Sequence, residues 1–113
     1  MHELPITRSI LEIALRHAAK AKAGKITGIY LVIGQLSSFL DNSIQFYWDI
    51  VAKDTIAGGA QLHFKRISTE LVCLDCNKRY GPNGRDLACP YCEGTRIEIV
   101  SGKEFYVEAI DVE

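Results

Sequence analysis

Cys73-Leu74-Asp75-Cys76 and Cys89-Pro90-Tyr91-Cys92 hold every cysteine of the 113-residue chain, with twelve residues between the pairs. A disulfide framework would spread its bridges over a small secreted chain to make up for a poor core. Bunching into one short stretch points instead to a metal. Each Cys-x-x-Cys can curl so that two thiolates face one ion, and two such knuckles complete a tetrahedron around Zn(II). Four thiolates leave no open coordination position, so this zinc would be structural and would activate no water. Asn77 and Gly94 follow the knuckles, where a turn asks for residues tolerant of positive φ. The competing dithiol redox reading wants one Cys-x-x-Cys opening a helix after a strand, and neither pair is followed by a helical pattern.

The segment around the cysteines, residues 70–96, is rich in Gly, Asn, Pro and charge, with too few apolar side chains for a core of its own. Its four bases (Lys78, Arg79, Arg85, Arg96) are balanced by four acids (Glu70, Asp75, Asp86, Glu93). A ribbon that grips phosphates needs a basic excess, so a protein partner is the better expectation.

Outward from this segment, ordinary elements resume. Ile6, Ile10, Ile13, Ala14 and His17 follow helical spacing over residues 5–22, with Pro5 in the first turn and Gly24 as the stop. Residues 26–33 (ITGIYLVI) read as a strand buried on both faces. Asp41 is placed to cap a second helix whose apolar stripe draws on Ile44, Tyr47 or Trp48, Ile50 and Val51. After Gly58-Gly59, Ala60, Leu62 and Phe64 alternate with Gln61, His63 and Lys65, the period of a half-buried strand. Thr95–Val100 and Phe105–Val112 read as further strands, the last apolar enough to return to the first sheet. The expected organisation is one α/β domain, residues 1–69 plus 97–113, with a zinc-binding domain, residues 70–96, inserted in it.

The whole chain carries a net charge of −1, with 48% apolar and 24% charged residues. That balance argues against bulk affinity for nucleic acid or membrane, both polyanions. No apolar run approaches the roughly 20 residues of a membrane helix, and the start lacks a signal-peptide pattern. A compact cytoplasmic protein is the expectation.

Of three histidines, His17 lies on the expected apolar stripe as a packed ring, and His63 alternates with buried positions as a solvated one. His2 sits beside the terminal amine in Met1-His2-Glu3. The amine, the His2 backbone nitrogen, the imidazole and the Glu3 backbone nitrogen or carboxylate could close around one ion. Nitrogen-rich, near-planar ligation suits Ni(II) or Cu(II).

The opening Met1-His2-Glu3-Leu4-Pro5-Ile6-Thr7-Arg8-Ser9-Ile10 resembles the start of the hydrogenase nickel-incorporation accessory proteins, the HypA/HybF family. The similarity continues through Ile33-Gly34-Gln35-Leu36-Ser37, Val51-Ala52-Lys53-Asp54-Thr55, both cysteine pairs and Ser101-Gly102-Lys103-Glu104. The resemblance implies a metallochaperone, not an enzyme. It implies that nickel is bound at the N-terminus, here by Met1, His2 and Glu3, with the histidine essential. It likewise implies that structural zinc is held by Cys73, Cys76, Cys89 and Cys92. It implies delivery of Ni(II) to the large subunit of [NiFe]-hydrogenase with a GTPase partner (HypB), and in some organisms service to urease and its accessory proteins. The implied fold is α+β, two helices on one face of a small mixed sheet carrying an inserted four-cysteine zinc-ribbon-like domain. Pro5 departs from the small polar residue common in the family, and as a first-turn proline it stiffens the terminus without removing a ligand. Two other classes compete. A zinc-ribbon adaptor for proteins or nucleic acid has no use for an amine beside a histidine. An enzyme would need a paired nucleophile and base or an open metal site, and neither is legible.

Overall fold

The computed structural model describes residues 3–82 and 88–113. In chain order the elements are α1 (Glu3–Lys20), β1 (Ile26–Gly34), α2 (Asp41–Val51), β2 (Gln61–Ile67), β3 (Glu70–Cys73), β4 (Arg79–Tyr80), β5 (Ile97–Ser101) and β6 (Phe105–Val112). The chain divides into two compact units: residues 1–32, 38–65 and 106–113, and residues 33–37 and 66–105.

In the first unit, β1 runs between β2 and β6. The Glu113 amide donates to the Lys25 carbonyl and the Gly24 amide to the Glu113 carbonyl, while Thr27 Oγ1 reaches back to the Asp111 carbonyl. The numbers climb on one strand as they fall on the other, so β1 and β6 are antiparallel. Just past the end of β1, the Gln35 amide donates to the carbonyl of Ile67, the last residue of β2, at 2.8 Å. Those two neighbours therefore run parallel, joined by a helical crossover. The sheet is mixed, and the fold is α+β.

α1 and α2 pack on each other. The face α1 buries is Glu3, Thr7, Ile10, Ala14 and Ala18. It is turned from the expected stripe: Ile6 and Ile13 are half-buried and His17 is exposed. Small side chains line the buried face because they let two helices approach closely, and a reading by hydropathy favours the bulkier isoleucines. Ile44 and Trp48 answer from α2, where Tyr47 is half-buried and Ile50 is 56% exposed. Ile10, Ile26, Ile29, Leu31, Ile44 and Trp48 are each at most 1% exposed, and each contributes roughly 1.5–3 kcal/mol of burial.

Helix ends differ from expectation in detail. α1 stops at a Schellman turn, with Ala23 N on Ala18 O and Lys22 N on Ala19 O. Its left-handed residue is Lys22 (φ 56), ahead of the expected Gly24. Leu40, not Asp41, occupies the N-cap of α2 and makes no side-chain cap bond; Asp41 is the first helical residue. There its charge complements the positive end of the helix. His63 is half-buried, its ring stacked on Tyr30 with centroids 4.4 Å apart, more enclosed than the solvated side chain expected.

The second unit holds the cysteines. β3 is central in an antiparallel sheet of order β4-β3-β5, pairing Leu71 with Tyr80 and Cys73 with Ile97. Residues 97–101 therefore go with the cysteine segment, and the unit is wider than the expected 70–96. β3 and β4 were not expected from the sequence. They are four and two residues long, too short to show a period, and the knuckle that joins them brings them into register.

Candidate metal centres

β3 ends on Cys73, so the sheet itself carries the first cysteine of the cluster. The chain then turns tightly: the Asn77 amide donates to the Cys73 carbonyl at 2.7 Å, and the Cys73 amide to the Lys78 carbonyl at 3.0 Å. The second knuckle repeats the design. Glu93 N donates to Cys89 O at 2.8 Å and Cys89 N to Gly94 O at 3.0 Å. Asn77 takes the expected positive φ (62°), but in the second knuckle that residue is Glu93 (φ 61°), not Gly94. Gly94 is instead the close-packed position beside it. A Cβ there would lie 2.6 Å from Asp75 Oδ2 and 3.2 Å from Cys92 Sγ.

All four sulfurs lie within 4.8 Å of one another. Cys73 Sγ is 3.6 Å from Cys92 Sγ, and Cys76 Sγ is 3.6 Å from Cys89 Sγ, each pair spanning the two knuckles. A tetrahedral Zn–S₄ site with bonds of about 2.3 Å has an S···S edge of about 3.8 Å. The donor set fits Zn(II) in size and in chemistry.

Crowding also sets the protonation of these thiols apart. Burial pushes the Cys89 thiol up, but the amides of Tyr91 and Cys92 and the neighbouring thiols outweigh it, bringing it to about 7. For Cys92, the Gly94 amide favours the thiolate, yet the Cys73 sulfur, burial and the remaining thiols push it up to about 12. Cys76 is raised too: the Lys78 amide lowers it, and burial with the Cys89 and Cys73 sulfurs wins. One proton leaves readily and the next are held, because thiolates this close repel. A dication held by these sulfurs would offset that repulsion.

Two contacts that sequence reading missed support the knuckles. Lys78 Nζ sits 4.7 Å above the Tyr91 ring, linking one knuckle to the other by a cation–π contact of about 0.5–1 kcal/mol. Arg96 Nε lies 3.5 Å from Asp75 Oδ1, but both side chains are exposed, so the pair contributes little. Neither has a motif; only the folded knuckles bring the partners together.

Of the terminal residues, Glu3 opens α1 and is buried, its carbonyl accepting a hydrogen bond from Thr7 Oγ1. Met1 and His2 lie outside the described residues. The structure therefore brings four of the seven expected ligands together at the cysteines and positions Glu3 alone of the other three.

A family model described as hydrogenase/urease nickel incorporation, metallochaperone, hypA matches residues 1–112. The chain belongs to the HypA family. Hydrogenase maturation factor HypA of Dehalococcoides mccartyi (strain 195) is 41% identical over all of this chain and 95% of its own length. Hydrogenase maturation factor HybF of Salmonella typhimurium is 33% identical over the whole of both chains. Among solved structures, the Ni metallochaperone HypA from Helicobacter pylori has a TM-score of 0.70 at 23% identity, over 97% of this chain and 96% of that one. A second HypA solution structure has a TM-score of 0.76 at 24% identity, over 100% and 97%. These last two establish a shared fold. HypA proteins are maturation factors for hydrogenase and nickel metallochaperones. No helix among the described residues is long and apolar enough to cross a membrane.

Proposed function

We propose that this HypA-family chain binds one Ni(II) at its N-terminus and delivers it to the large subunit of a cytoplasmic [NiFe]-hydrogenase, in concert with a HypB-like GTPase. Urease, through its accessory proteins, is a second client under the same chemistry. The observation that carries the reading is the family match, which begins at residue 1 and so includes Met1-His2-Glu3. In this reading the Met1 amine, the His2 amide nitrogen and the His2 imidazole form fused chelate rings, with Glu3 adding its backbone nitrogen or its carboxylate. Nitrogen donors of this kind favour Ni(II) over harder ions. A site on a chain end can exchange its ligands for those of a client, which a closed cage cannot do.

Cys73, Cys76, Cys89 and Cys92 would hold Zn(II), which supplies charge neutralisation and fixes both knuckles in place. The rest is done by the chain: β3 presents the first thiolate, the knuckle amides orient the sulfurs, and the cluster leaves no position for cargo.

Calorimetric nickel titration of the zinc-loaded protein, with and without His2→Ala, tests the proposal. The expected result is one nickel per chain in the wild type and none bound specifically in the variant, with zinc content unchanged. Equal nickel affinity in His2→Ala would move the site to the exposed His17 or to His63, and no nickel binding by either protein would favour a zinc-ribbon adaptor.

A further inference from the structure

The four cysteines are not equally enclosed. Cys73 and Cys89 are buried, Cys76 is half-buried, and Cys92 is exposed. Zinc would keep all four as thiolates, so thiolate character does not distinguish them toward an oxidant. Access does, and susceptibility follows access. Of the three other sulfurs, all within 4.8 Å, the one in direct contact with Cys92 is Cys73, 3.6 Å away across the knuckles. A disulfide of about 2.05 Å requires closing that gap by roughly 1.5 Å. Cys73 is held at the end of β3, whereas Cys92 lies in a loop outside any strand, so Cys92 is the one to move.

We propose that Cys92 is a hydroperoxide-reactive modification site, which on oxidation closes onto Cys73 as a disulfide and opens the zinc centre. The Cys92 thiolate attacks one oxygen of the hydroperoxide, the O–O bond breaks, and hydroxide (or alkoxide) leaves, forming the sulfenic acid. The Cys73 thiolate then attacks the Cys92 sulfur, the S–O bond breaks, and a second hydroxide leaves. Two thiolates lose two electrons in all, and the hydroperoxide gains them. Two thiolates remain, Cys76 and Cys89, too few for a closed site.

This inference rests on the zinc reading above. The full-length, zinc-loaded protein is treated with hydrogen peroxide after its zinc content is measured. Zinc release is followed with a chromogenic chelator, sulfenic acid is trapped with a dimedone-type reagent, and disulfides are mapped by non-reducing peptide mass spectrometry. Expected are first trapping at Cys92, a Cys73–Cys92 linkage, and loss of zinc that a thiol reductant restores. Cys92→His keeps a ligand but not the reactive sulfur, and should lose most of the peroxide-driven release. First trapping at another cysteine, a Cys76–Cys89 linkage, retained zinc, or release from Cys92→His equal to wild type would each overturn the inference. A chain purified without zinc would instead refute the zinc reading, and this one with it.

Discussion

Withdrawing zinc should unfold the second unit and spare the first. The buried cluster of the second unit is Leu71, Cys73, Tyr80 and Cys89, with Cys76 and Ile97 packed against it. Three of these six residues are the proposed ligands themselves. Leu71 and Tyr80, the buried members that are not ligands, supply roughly 3–6 kcal/mol at about 1.5–3 kcal/mol per large side chain. Structural zinc in small four-ligand peptides contributes about 10–16 kcal/mol near pH 7. The metal therefore outweighs the apolar part of the core by severalfold, while the first unit keeps Ile10, Ile29, Leu31, Ile44 and Trp48, all fully buried. The assay is the amide NMR spectrum of reduced protein before and after complete chelation. Amides of β3, β4 and β5 should collapse toward random-coil shifts, while those of α1 and α2 stay in place. Unchanged dispersion for Leu71, Val72 and Tyr80 in zinc-free protein would refute the argument, because the sheet would then stand without its metal.

Gly102 has φ +117°, and a Cβ there would lie 2.8 Å from the Thr69 backbone. Gly102→Ala should cost at least about 1–3 kcal/mol from backbone strain alone, seen in denaturant melts, whereas Gly24→Ala, in open space, should cost little. Nickel binding should weaken as pH falls through the histidine range, about 6.5, because protons compete for the imidazole and amine. Titrations between about pH 8 and 5 check this, and a flat profile would exclude imidazole ligation.

The chain's long elements were legible because hydrophobic period and β-branched content speak directly: β1 and β6 stand where their patterns put them. The cysteine cluster was legible from spacing alone. What escaped was whatever depends on a neighbour. The buried face of α1 is set by close approach to α2, so Thr7 and Ala18 replace Ile6 and His17. Glu93 takes the left-handed turn because its amide closes the knuckle onto the Cys89 carbonyl, as Asn77 does onto Cys73. β4, two residues long, exists only because the first knuckle folds it back onto β3.

The proposed nickel site is built on the terminal amine, separate from the zinc centre. It is tested by comparing nickel affinity of protein starting at Met1 with that of a Gly-Ser-extended version, at equal zinc occupancy. An extension turns the Met1 amine into a peptide nitrogen, which must lose a proton before it can bind a metal. Nickel binding should weaken sharply on extension. Equal affinity in the two proteins would contradict it, removing Met1 from the site and leaving the side chains of His2 and Glu3 to hold the metal.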